Sequence, residues 1–93
     1  MTPGDSQTEW RDDIDALAFQ PEGHDGTCMV HRLAFRTLMR IVPTSDACVA
    51  YFAANERAFR ASAQAKINRK GLEPRTNFHL TSRDLTRAVT VAK

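Results

Sequence analysis

No apolar run in this 93-residue chain approaches the roughly 20 residues that a membrane-spanning helix needs, so the sequence predicts no membrane contact. The amino terminus, "MTPGDSQTEWRDD", lacks the basic start and apolar centre of a secretory leader and predicts a cytoplasmic protein. Cysteine is scarce. Cys28 and Cys48 are too few and too far apart for a disulfide scaffold or a CxxC zinc site, and are expected to be small apolar fillers. Glycine and proline number four each, with no repeat and no low-complexity tract, which argues against linkers and a second domain. There is no glycine-rich phosphate loop and no nucleophile elbow. Neither Asp12-Asp13-Asp15 nor Glu22-Asp25 has a spacing that would hold two carboxylates around a substrate. No catalytic constellation, metal site or cofactor is therefore expected.

What is present suits one small globular domain: 42% hydrophobic and 26% charged residues, with a net charge of +2. The charge is unevenly placed. Residues 1–26 carry seven acids against the single base Arg11, whereas residues 27–93 carry twelve bases against four acids. An acidic leader on a basic body is compatible with anion binding or with a self-compensating surface.

Along the chain, residues 1–9 read as a loose tail and 10–93 as the domain. "IDALAFQ" (14–20) suits a first strand and "TCMVH" (27–31) its antiparallel return. They are joined by "PEGHDG", where Pro21 fixes one φ and Gly23 and Gly26 can take positive φ. Phe35, Leu38, Met39 and Val42 then fall on one face of a helix that Pro43 should end. "TSD" (44–46) offers caps for the next helix. From Ser45 to Lys70 there is no glycine or proline, and Gly71 is the natural stop. Cys48, Val49, Phe52, Phe59, Ala63 and Ile67 form its apolar arc. "NFHLT" (77–81) reads as a last strand with Phe78 and Leu80 on one face and His79 on the other. Ser82 could cap a final turn through Leu85 and Ala88. The expected fold is α+β in the order β-β-α-α-β, a small antiparallel sheet covered on one face by a short and a long helix.

The long helix carries two candidate surfaces. At 26 residues it would run ~39 Å, beyond the ~30 Å of a globule this size, so it must protrude, break or lie against a second subunit. Behind its apolar arc cluster Ala47, Ala50, Ala54, Ala61 and Ala65. Helix propensity alone explains them, but small side chains also let two helices approach, which leaves a homodimer open. Its bases Arg57, Arg60, Lys66, Arg69 and Lys70 encircle the helix rather than forming a stripe. Solvated charge is the default there, and a nucleic-acid or polyanion surface the less favoured alternative.

The stretch "DGTCMVHRLAF" raises the question of a Cys28–His31 site. On a strand these two side chains point to opposite faces, so they cannot converge on a metal without a bend. Cys28 should pack inward, while His31 could accept a backbone N–H as a substitute helix cap. Cys48, near a helix start, has dipole stabilisation of a thiolate opposed by burial on the apolar arc.

Trp10 ahead of the first strand, "DGTCMV" leading into Ala34-Phe35, Phe52 and Asn55 in the long helix, and Leu80-Thr81-Ser82 with Asp84 together resemble the bacterial family called domain of unknown function 1488. The chain departs from that family's pattern at His31, where the family has a serine cap, and at Glu56, where it has an arginine. The resemblance implies a small α+β protein and supplies no activity. The sequence thus predicts a non-catalytic interaction or structural module whose partner is another protein or a second copy of itself.

Overall fold

Three short strands open the described part of the chain, residues 8–86 of a computed structural model. They are β1 (Thr8–Arg11), β2 (Ala16–Phe19) and β3 (Cys28–His31), which pair as an antiparallel meander. Three helices follow, α1 (Arg32–Met39), α2 (Ser45–Ala54) and α3 (Glu56–Lys70). The chain then returns to the sheet as β4 (Phe78–Leu80) and ends its described span in a helical segment, 82–86. The fold is α+β.

The sheet order is β1-β2-β3-β4, and β4 runs parallel to β3, with Cys28 opposite Phe78 and Val30 opposite Leu80. The sheet is therefore mixed rather than antiparallel throughout. The helical crossover between β3 and β4 is long enough to return the chain to the starting end of β3, which a tight turn cannot do. β1 is an addition to the expected order, and it takes in Thr8 and Glu9 from the stretch read as tail. Residues 1–7, the rest of that stretch, lie outside the described residues, as does Ala88.

Strand alternation builds one core layer. Leu17, Phe19, Cys28, Val30, Phe78 and Leu80 meet Phe35, Cys48, Phe52, Phe59, Ala63 and Leu85 between sheet and helices. Phe19, Phe35 and Phe59 are almost wholly buried, each stabilising the fold by about 2–3 kcal/mol through apolar area removed from water. Their rings pack in a chain: Phe19 to Phe52 at 5.1 Å, Phe52 to Phe59 at 5.0 Å and Phe59 to Phe35 at 5.7 Å between centroids.

Helix boundaries follow local chemistry. α1 stops at Arg40, which takes the left-handed conformation (φ 62°) and returns its N–H to Arg36 O. The helix thus ends before Pro43, and Val42 is exposed rather than on the buried face. Thr44 caps α2 by accepting the Ala47 N–H on Oγ1 at 3.1 Å. The predicted 26-residue helix is broken at Asn55 (φ −123°, ψ 25°), whose side-chain amide donates to Tyr51 O at 2.9 Å. The break shortens the longer helix to ~22 Å in a molecule of 33 × 33 × 24 Å. Gly71 ends α3 in the left-handed region (φ 59°).

The loop joining β2 to β3 is bound to the one preceding β4. Asp25 and Gly26 N–H both donate to Pro74 O, at 2.7 and 2.9 Å, and Thr27 N–H donates to the Asn77 side-chain carbonyl at 2.8 Å. His24 is buried beneath them with Nε2 2.7 Å from Thr76 O, so Nε2 carries the proton. A Cβ at Gly26 would collide with the Thr76 carbonyl. Glycine is required there for close approach, not for the positive φ the sequence suggested.

Candidate functional site

β3 sorts its side chains as strand geometry demands. Cys28 and Val30 are fully buried, while Met29 and His31 point to the opposite face, so Cys28 and His31 do not converge. Cys48 is also fully buried, and burial pushes both thiols up, Cys28 the more strongly. Neither is poised as a thiolate. Among the described residues no three of His, Cys, Asp and Glu gather in a way that could hold a metal ion.

His31 occupies the N-cap position of α1 but makes no capping hydrogen bond, which corrects the expectation of a substitute cap. Its ring lies flat on that of His79 instead, centroids 4.7 Å apart and planes 13° from parallel. Burial, the His31 ring and the Lys66 ammonium lower the His79 pKa. Strand register explains the meeting: Met29 is opposite His79, so His31, two residues on, shares that face.

Of the five bases offered as an anion surface, three have local partners. Arg60 donates to Glu56 at 2.7 Å and to Gln20 O at 3.1 Å, and lies over the Phe19 ring. Lys66 donates to His79 O at 2.6 Å and to Asp84 at 2.9 Å, and Arg69 reaches the same carboxylate at 3.4 Å. Arg57 and Lys70 are exposed. A shallow groove of about 560 Å³ at Arg57 and Arg60 is shared with Glu22 and Glu56, which oppose an anion.

Asp84 is a hub the sequence reading did not single out as one. It accepts from Lys66 Nζ, the Thr81 N–H and the Thr81 hydroxyl, while Thr81 Oγ1 accepts the Asp84 N–H at 3.2 Å. This reciprocal cap makes Thr81, not Ser82, the residue that starts the last helix. Although burial opposes ionisation, Lys66 and Thr81 hold the Asp84 carboxyl down to about 2. The signal was present as Thr81-x-x-Asp84 before an apolar Leu85. Arg32 was missed in the same way. It pairs with Asp15 at 2.8 Å, donates to Pro43 O at 2.6 Å and sits 5.0 Å over the Trp10 ring.

The alanine stripe is divided by the Asn55 break. Ala47 is half-buried; Ala50 and Ala54 are exposed on α2, and Ala61 and Ala65 on α3. Large exposed apolar side chains lie elsewhere: Leu33 (69% exposed), Ile41 (56%), Val42 (76%) and Val49 (38%). All four such residues among those described fall in α1, the α1–α2 loop and the start of α2. At the α2–α3 joint a cavity of about 220 Å³ opens beside Leu38, Tyr51, Asn55, Phe59 and Leu85. No helix among the described residues is long and apolar enough to cross a membrane.

Comparison of the chain with family models, with curated proteins and with solved structures finds no match.

Proposed function

We propose that this chain is a non-catalytic interaction module that pairs with a second copy of itself through the apolar corner formed by α1 and the start of α2. The observation that carries the reading is that, among the described residues, the exposed large apolar side chains are Leu33, Ile41, Val42 and Val49, within 17 consecutive positions of the sequence. Such side chains scattered singly need no explanation, but their concentration in one stretch of a small domain supports a contact surface there. The ionisable clusters support the non-catalytic part: Asp84, Lys66, Arg32 and Asp15 are used in capping and cross-linking the fold.

The proposed surface differs from the alanine stripe. A homodimer along the long helix drew its strength from a rod too long for its domain, and the Asn55 break removes that excess length. The polyanion alternative is less supported, because Arg60, Lys66 and Arg69 are held by internal partners. Membership of the bacterial domain of unknown function 1488 family, with a cytoplasmic setting, belongs to the same proposal and rests on the motifs from Trp10 to Leu85 alone.

Sedimentation velocity of the wild type against Val42→Asp and Ala54→Glu tests the reading. The expected result is a concentration-dependent dimer that Val42→Asp abolishes and Ala54→Glu leaves intact. A wild type that stays monomeric, or a dimer lost only in Ala54→Glu, would overturn it.

A further inference from the structure

The stacked pair His31–His79 sits at one edge of the sheet. β4 is three residues long, forms the parallel edge of the sheet and is joined to β3 alone. Its backbone ties include Phe78 N–H to Thr27 O at 3.0 Å. On the helix-facing side Phe78 and Leu80 anchor it in the core. On the opposite face the two imidazoles meet across the β3–β4 seam, flat on one another at 4.7 Å.

Parallel rings at this separation attract while they are uncharged or share a single proton. Two imidazolium rings so placed repel, and the repulsion acts directly across the seam. We propose that the His31–His79 stack is a proton-operated latch: it holds β4 against β3 when at most one ring is charged, and loosens β4 with the 82–86 segment when both are.

The surrounding charges shape the response. Beside His31 stand Asp15, at the β1–β2 turn, and Arg32, which is bound to Asp15. Lys66 of α3 reaches the carbonyl of His79 itself, and is neutralised on its other side by Asp84, to which Arg69 also turns. From β1, Arg11 aligns across Ala16 with His31, and Glu9 across Ala18 with Met29, the partner of His79. Arg11 is bound to Asp13. The nearest full charge on the His79 side is thus the Lys66 ammonium, which adds to the repulsion from a charged His31. Burial, His31 and Lys66 all push His79 the same way, below the ordinary imidazole range.

The direction of the pH dependence follows. A histidine whose folded pKa lies below its unfolded value binds fewer protons when folded, so its stabilising effect is complete above the unfolded value of about 6.5 and is lost as the pH falls below it. Acidification therefore weakens the latch, and neutralisation restores it.

Hydrogen exchange read as protection factors at pH 7.5 and 5.0 tests this on wild type and His79→Phe, which keeps a stackable ring without the charge. The expected result is a several-fold loss of protection at the Phe78 and Leu85 amides of the wild type at pH 5.0, absent from His79→Phe. Equal protection at the two pH values in the wild type, or the same loss in His79→Phe, would overturn the latch. A loss common to both proteins would not come from the stacked pair. Should His79→Phe fail to fold, imidazole NMR titration of the wild type decides: coupled, two-inflection curves for His31 and His79 support the latch, and two independent single-site curves reject it.

Discussion

Lys66 Nζ lies 2.9 Å from Asp84 Oδ2 and 2.6 Å from His79 O, so one ammonium joins α3 to both the edge strand and the cap of the segment that follows it. In the parallel pairing Phe78 and Leu80 turn their backbone groups towards β3, which leaves those of His79 at the open edge of the sheet. Placing a lysine on that edge carbonyl blunts the edge against pairing with another chain. The side chains of Lys66 and Asp84 are 14% and 12% exposed, so this pair is less screened than a surface salt bridge.

Asp84→Asn is therefore expected to destabilise the fold by about 1–3 kcal/mol at pH 7, through loss of a charged acceptor shared by Lys66 and Thr81. The wild-type carboxyl, held at about 2 in the folded state, contributes stability above about pH 4 that is lost as the pH falls through its folded value. Urea unfolding across that range should show the gap between wild type and Asp84→Asn narrowing with acid. A gap that stays constant down to pH 2 would contradict the assignment.

Gly26 and Gly71 separate two reasons for glycine. Gly26→Ala drives a Cβ into the Thr76 carbonyl, a backbone atom in a loop pinned by Pro74 and His24, and should cost about 1–3 kcal/mol or more. Gly71→Ala meets no neighbouring atom and bears only the left-handed φ of 59°, for about 1 kcal/mol. Paired denaturation curves should place Gly26→Ala as the less stable of the two.

Arg32→Ala removes the ion pair to Asp15, the bond to Pro43 O and the cation over Trp10 together. A loss of about 1–2 kcal/mol is expected, part of it from the guanidinium stacking on the ring. Trp10 is the chain's single tryptophan, so its emission reports on this contact directly. Arg32→Ala should change the native spectrum without changing the unfolded one, and Arg32→Lys should restore less than half of the lost stability.

Both thiols should be silent towards a thiol reagent in the native protein at pH 8 and titrate as two per chain in denaturant, because each is buried with its pKa raised. Rapid native labelling of Cys48 would show that the start of α2 opens readily.

Much of this architecture can be read from residue patterns where one physical signal dominates. The alternation of Cys28 and Val30 against Met29 and His31, the Thr44 cap, the Gly71 stop and the Phe78–Leu80 strand each rest on a single local rule, and each is present in the structure. β1 was invisible because "TEWR" has one apolar residue and follows a stretch with Pro3 and Gly4; pairing to β2 makes it a strand, not its own pattern. The break at Asn55 was equally hidden. Nothing in "FAANERAF" forbids a continuous helix, and no residue pattern there marks the interruption at Asn55. His31 on His79 and Arg32 on Trp10 are contacts between residues far apart in sequence, fixed by register and crossover rather than by spacing. The site residues proposed from the long helix kept their helices but lost their common rod, while Ile41 and Val42 are exposed because α1 ends at Arg40 rather than at Pro43.

Self-association through the α1–α2 corner can be followed in the backbone amide shifts over a roughly hundredfold dilution. Concentration-dependent shifts are expected between Leu33 and Val49, with α3 unmoved. Shifts confined to Ala61 and Ala65 on α3, or no change at any residue, would contradict it.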